Sequence, residues 1–390
     1  MSFTVLVTGR DLSVIGDPIA HWTDLDVTLR FNEPDSGTLT APADALTVDQ
    51  LAPGNRLVVM RNPAPALGYP GEIVAAGPIE DVDHAWSIDG EPGPGSTSVS
   101  FASDLASVVA EIAYPDPAKA ITAQATARRK FTATNAEAVM RALVSENVGP
   151  TALAARRIPG LALGPLAGVG GNVTAGFRVD PLGDALRAVA LAGGGLGFRT
   201  RQASVGAGIL FEVYQPRDLR GQVRFSRGLR NLLGYRYALG APTASVAIVG
   251  DGSGEGTLRK FYERSSSAAA SWGRTVAFVD RRDTADAAEI DQALTEALAE
   301  GGASAQLETT TVDTATQRYG VHYGLGDLVS VELNTGVVVA DVVRSVNISA
   351  TPNGGETTTA FIGTQSASTD PAYVRHLRNI ARRLGRLEAI

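Results

Sequence analysis

From Phe3 to Phe101 apolar and polar residues alternate in short segments: FTVLVT, DVTLRF, RLVVM, GEIVAAGPIE and AWSID. Turn clusters such as Asn32-Glu33-Pro34-Asp35 and Pro92-Gly93-Pro94-Gly95 separate them. A period of two gives each strand one face for a core and one for solvent or a neighbouring subunit. The pattern predicts an N-terminal β domain over residues 1–102.

The period changes after Ser103. Thr134 and Glu137 have the spacing of a capping box ahead of Val139, Met140, Leu143 and Val144, whose three- and four-residue intervals mark a buried helical face. A second helix is signalled by Asp180 as N-cap, Pro181 at the first helical position, Leu182, Leu186 and Val189 on one side, and Gly193 past the end. The strands LGFRTR and ILFEVY follow, and the stretch 160–171, rich in Gly, Ala, Leu and Pro, reads as loop. Residues 103–240 are thus expected to form an α/β domain.

Strand patterns return over 241–365 (SVAIVG, TLRKFYE, TVAFVD, LVSVEL, VVVADVVRSVNI, TTTAFIG), interrupted by one helix over 283–300. That helix has an acidic first turn, an apolar stripe at Ala287, Ile290, Leu294 and Leu298, and Gly301 as its stop. A C-terminal amphipathic helix is expected within 366–390. Its stripe, Tyr373, Leu377, Ile380, Leu384 and Leu387, follows a/d heptad spacing. The stripe suits a helix docked on its own domain and a bundle of helices equally well. No fixed-period repeat is visible.

Zero cysteines among 390 residues rule out a disulfide framework, a thiolate metal site and a cysteine nucleophile. The formal net charge of −7 argues against stable nucleic-acid binding, which needs a basic footprint. The charge is uneven: Arg375, Arg378, Arg382, Arg383 and Arg386 face only Glu388 in the last stretch. The opening MSFTVLVTGRDLSV has neither the basic flank nor the apolar core of a cleaved signal, and no run has the length of a membrane span. A soluble chain without membrane insertion is expected.

Candidate chemistry is sparse. His21, His84, His322 and His376 are scattered without close ligand spacing, so no metal or cofactor is expected. The run Gly250 to Gly256 imitates a phosphate-cradling turn, but it lacks a Gly-Lys-Ser/Thr ending and carries Asp251 and Glu255, which repel phosphate. It reads as a tight turn between strands. Asp280, Asp283, Asp286 and Glu289 offer a carboxylate pair for a hydrolase. Yet Asp283 and Asp286 also suit a helix start, and Arg281 and Arg282 lie among them.

The segment from Phe211 onward is more specific as an ordered series: Pro216-Arg217-Asp218, Phe225-Ser226, Asn231-Leu232, Gly250 to Gly256, Trp272-Gly273-Arg274, Val279 to Thr284 and Tyr323 to Asp327. The series resembles the siphophage tail-hub (minor tail protein) family of actinobacterial phages. The resemblance is strongest over 211–363 and weaker, though alike in layout, before that. It implies an α+β, β-rich fold similar to contractile-tail baseplate hubs, with two β-barrel-like domains flanking the α/β portion. It also implies a non-enzymatic homotrimer at the virion tail tip, assembled in the bacterial host cytoplasm, that caps or continues the tail tube and adapts sixfold to threefold symmetry. The implied partners are a distal tail or tail-tube protein, the C-terminus of the tape-measure protein, and distal fibre or tip proteins. Three copies of the last helix would then bundle through Tyr373, Leu377, Ile380, Leu384 and Leu387. The rival readings are a tail-associated cell-wall hydrolase using the carboxylates at 280–289 and a carbohydrate-binding receptor module built on Trp22, Trp86 and Trp272.

Overall fold

The computed structural model describes residues 3–62, 71–88, 93–252, 259–282, 284–302, 304–352 and 354–363. Strands from both ends of the chain meet in a ten-stranded sheet. Its main path runs Phe3–Thr8, Arg56–Arg61, Glu72–Ala85, Ser96–Ala102, Ser36–Pro42, Asp24–Arg30, Val338–Thr351, Leu328–Glu332 and Arg224–Phe225. Gly355–Ile362 pairs with Val338–Thr351 off this path. The junction between the ends is the antiparallel pairing of Asp24–Arg30 with Val338–Thr351, in which Val27 faces Ile348 and Leu29 faces Val346.

Alternation decides which way each strand faces. Leu25, Val27, Leu29, Leu39, Val99 and Phe101 are buried from the N-terminal side, and Phe225, Val329, Val331, Val346, Ile348 and Ile362 join them in one hydrophobic core. Gly37 is a packing requirement: a Cβ there would lie 2.5 Å from the Phe101 ring.

The sheet is open. Among the described residues nothing pairs Phe3–Thr8 with Arg224–Phe225, so the expected β-barrel-like domains are not found as closed barrels. The first half of Glu72–Ala85 pairs with Arg56–Arg61 and the second half with Ser96–Ala102, with register shifts along its length. Such bulges bend a strand, so the sheet covers a core without joining its edges. The strands expected to build a second barrel are shared out: Val246–Gly250, Phe261–Ser265 and Val276–Asp280 form their own three-stranded sheet. Leu328–Glu332, Val338–Thr351 and Gly355–Ile362 join the main sheet instead.

The α/β portion has its own core. Val139, Met140, Leu143 and Val144 of the helix Ala136–Asn147 bury with Leu182, Leu186 and Val189 of Leu182–Ala192 and with Phe198, Phe211 and Val213. Both predicted N-caps shift by a residue. Asn135, not Thr134, accepts from the Ala138 amide at 3.2 Å. Pro181 takes the second cap position, while Asp180 accepts from the Arg178 amide at 2.8 Å. Glu137 is freed from the capping box and instead accepts from the amides of Ala167 (2.8 Å) and Val169 (3.0 Å). Those two bonds pin the stretch read as loop, of which Leu161–Leu163 is a short strand parallel to Ile209–Tyr214. Asn32, in left-handed backbone (φ 59°), docks this portion on the main sheet. Its side chain donates to the Leu196 carbonyl and accepts from the Phe198 amide.

The third layer is small. The helix Ala287–Gly301, capped by Asp286, lays Ile290, Ala293, Leu294 and Ala297 on Ala247 and Val249. No helix among the described residues is long and apolar enough to cross a membrane.

Candidate functional site

Four motifs of the series, Pro216-Arg217-Asp218, Phe225-Ser226, Asn231-Leu232 and Tyr323 to Asp327, meet at the seam between the main sheet and residues 215–231, whereas the described residues of the others lie at the separate three-stranded sheet. Arg217 donates its amide to Asp327 Oδ1 at 2.8 Å and its Nη2 to Oδ2 at 2.6 Å, while the Gly324 amide donates to the same carboxylate at 2.8 Å. The Leu328 amide donates back to the Arg217 carbonyl. The Pro-Arg-Asp turn and the Tyr-x-Leu-Gly-Asp turn are therefore two halves of one clamp. Phe225 meets the Tyr323 ring edge-on at 5.4 Å, and the Tyr323 hydroxyl donates to Asp313 at 2.7 Å. Asn231 closes the intervening turn by accepting from the Ser226 amide (2.9 Å) and donating to the Arg224 carbonyl (2.9 Å).

One buried ion pair ties the strand Arg56–Arg61 to this seam, and a second, from the same strand, holds the segment after Ser96–Ala102. Arg61 is 2 % exposed in its side chain and donates to Glu356, to Thr358 Oγ1 at 3.1 Å and to the Tyr319 carbonyl at 3.3 Å, with Asp313 4.0 Å away. Burial raises the Asp313 carboxyl above its ordinary range, against hydrogen bonds from Tyr323 and the Tyr319 amide and the charge of Arg61. Arg56 and Asp104 form a bidentate pair at 2.5 and 2.7 Å, in which burial likewise raises Asp104 against the pull of Arg56. Asp35 is pushed up to about 7 by burial, opposed by the Arg30 amide and charge and by Ser103. Asp35 and Asp104 line one small pocket together with Ser103 and Arg201, and each is already engaged there, Asp35 by the Arg30 amide and Asp104 by the Arg56 guanidinium, while Asp313 is held by Tyr323 and the Tyr319 amide.

The carboxylates considered for hydrolysis are spent on arginines and a helix end. Asp280 pairs with Arg259 and Arg282, Glu289 with Arg128 and Arg281, and Asp286 caps its helix. Asp283 lies outside the described residues. At the glycine run, Arg259 donates to the carbonyls of Gly250 and Asp251, so the described part of this turn presents acceptors already engaged by an arginine. Residues 253–258 lie outside the described part. Gly273 sits at φ 82°, where a side chain would be strained, and Arg274 beside it pairs with Glu263. His84 shares a hydrogen bond with Thr97, and His322 accepts from the Arg318 amide. Trp22 is buried, while Trp86 and Trp272 are exposed. The C-terminal stripe Tyr373, Leu377, Ile380, Leu384 and Leu387 lies outside the described residues.

Residues 4–364 match the model of the family described as Siphovirus ReqiPepy6 Gp37-like protein. The chain belongs to this family. Curated protein sequences give no significant match. Solved structures share the fold of this family member nearly end to end. A 43 kDa tail protein of prophage MuSo2 from Shewanella oneidensis is 12% identical, with a TM-score of 0.57 over 92% of this chain and 98% of its own. A tail protein from Neisseria meningitidis MC58 is 16% identical, with a TM-score of 0.52 over 94% of this chain and 97% of its own. The prophage tail protein gp18 from Listeria monocytogenes EGD-e is 9% identical, with a TM-score of 0.54 over 98% of this chain and 99% of its own. At such identities the likeness is one of fold.

Sequence reasoning found the motif residues but not their mutual contacts. It missed Arg61 and Arg56 altogether; the available signal was an arginine at each end of the otherwise apolar segment RLVVMR.

Proposed function

We propose that this chain is the structural hub at the tip of a siphovirus tail, a homotrimer that joins the tail tube to distal components. The observation that carries the reading is a fold shared with phage tail proteins over nearly the whole of both chains. The motif residues Arg217, Ser226, Asn231 and Asp327 support it, because they are spent on a clamp and a turn that hold segments together. On this reading one end of the trimer meets the tail-tube or distal tail protein and the end of the tape-measure protein, and the other meets fibre or tip proteins. Among the described residues one chain does not offer two like closed barrels, so matching sixfold to threefold symmetry would use unlike surfaces of one open sheet. The C-terminal stripes would meet on the threefold axis. The test is the mass of the purified chain by light scattering, followed by binding to isolated tail tubes. Trimers that cap tube ends support the reading, and a monomer without affinity for tubes overturns it. A trimer that survives deletion of residues 371–390 removes the axial bundle from the account.

A further inference from the structure

Charge is segregated along this chain far beyond its modest net value. Residues 62–118 contain nine acids (Glu72, Glu80, Asp81, Asp83, Asp89, Glu91, Asp104, Glu111 and Asp116) and neither lysine nor arginine. Residues 217–236 contain six arginines and one acid, Asp218. The fold turns these runs into two surfaces. The acidic one is the outer half of the hairpin formed by Glu72–Ala85 and Ser96–Ala102, where Glu80, Asp81 and Asp83 are exposed. Trp86 and Ile88, 68% and 82% exposed, extend this hairpin outward. The basic one is the turn after Arg224–Phe225 and the strand that follows, where Arg227, Arg230 and Arg236 are exposed. Among the described residues none of the three forms a salt bridge, whereas Arg220 and Arg224 pair with Asp218 and Glu332.

The basic surface is built rather than loose. Ser226 and Asn231 lock the turn, and Arg230 is held in left-handed backbone at φ 56°, a conformation unfavourable for a side chain of its kind. Leu229 and Leu233 stand exposed between the arginines, and Val337 is exposed at the neighbouring turn, where the Asn334 amide donates to Tyr235. Arginine around an apolar centre on one side, and a tryptophan among acids on the other, are matching halves of a protein contact.

The two surfaces lie at opposite ends of the main sheet. The strand Val338–Thr351 has the basic turn near Val338, through Leu328–Glu332, and has the hairpin on the side of Thr351, through the ladder from Leu25 to Leu39 and on to Ser96. Fourteen residues of strand span about 45 Å, so a chain cannot fold its hairpin onto its own basic turn.

We infer that the occupant of the arginine–leucine surface is the acidic Trp86 hairpin of a second copy of this chain. The contact is head-to-tail, and such contacts close into rings when the rotation between copies allows. It names the lateral surface of the proposed trimer and rests on that reading.

The test is the mass of the full-length chain by light scattering across a concentration series, at low and at high salt. The variants are a triple reversal Arg227→Glu, Arg230→Glu, Arg236→Glu, a triple reversal Glu80→Arg, Asp81→Arg, Asp83→Arg, and the chain carrying both. Like charges meeting in the interface weaken self-association about a hundredfold or more in each triple variant, and the chain with both sets regains it. High salt weakens the wild-type contact. All positions are exposed, and unchanged circular dichroism and thermal unfolding check that each variant folds. Trp86→Ala, which leaves the charges in place, also weakens the contact. A wild-type oligomer whose mass neither reversal changes overturns this surface and leaves the hub reading standing. A wild-type monomer at every concentration overturns the surface too, and tube binding then decides the hub reading separately.

Discussion

Arg61→Met asks whether the two ends of the chain depend on one another. Arg61 sits on an N-terminal strand, and its partners Glu356, Thr358 and Tyr319 all belong to the last part of the chain. Methionine keeps much of the volume and removes the charge, leaving Glu356 and Asp313, whose side chains are 20% and 16% exposed, without their cation. Breaking a buried pair from one side costs about 3–5 kcal/mol, and the residual exposure of the acids places the expected loss near about 2–4 kcal/mol. Urea unfolding followed by circular dichroism measures it as a lower midpoint at unchanged slope. Adding Glu356→Gln to Arg61→Met removes one of the stranded charges and recovers roughly half of the loss. A loss below about 1 kcal/mol, or no recovery in the double variant, refutes the reasoning.

Asp35→Asn keeps an acceptor for the Arg30 amide and removes the charge. Because the folded carboxyl is raised to about 7 from 3.8, its favourable contribution is complete below pH 3.8 and is lost as pH rises to about 7, with a ceiling of about 4 kcal/mol. The variant is therefore more stable than wild type at pH 8 and has a flatter profile between pH 4 and 7, and thermal unfolding across that range would show no difference if the account of Asp35 is wrong. Asp327→Asn loosens the Arg217 clamp and lowers stability by about 1–3 kcal/mol, read from urea midpoints. Leu294→Ala opens the small core and costs about 2–4 kcal/mol in the same measurement. The expected outcome with cell-wall suspensions is no clearing by the wild-type chain; clearing that disappears with Asp280→Asn or Glu289→Gln would revive the hydrolase.

The strands and helices were legible because their signals are local. The apolar run SVAIVG describes one strand buried along nearly its whole length, and the stripe Ile290, Leu294 and Leu298 describes one helix and its packed face. Pairing across hundreds of residues leaves no such trace, so nothing in VVVADVVRSVNI announces that Val346 lies opposite Leu29. The barrels came from resemblance alone, and bulges in Glu72–Ala85 replaced closure by folding the sheet over. Ser304–Thr311 went unread because SAQLETTT carries few apolar residues, and it becomes a strand through pairing with Leu232–Gly240. Thr134 lost the cap to Asn135 because both are competent and Glu137 had a better use in the loop at Ala167. In the motif series Arg217 and Asp327 were each visible, but only the fold makes them partners.

The central claim is that this chain is a trimeric hub at a tail end, and electron microscopy of tail tubes incubated with the purified chain tests it most directly. The account predicts threefold density confined to one end of the tube. Bare tube ends, or density spread along the tube wall, would contradict it.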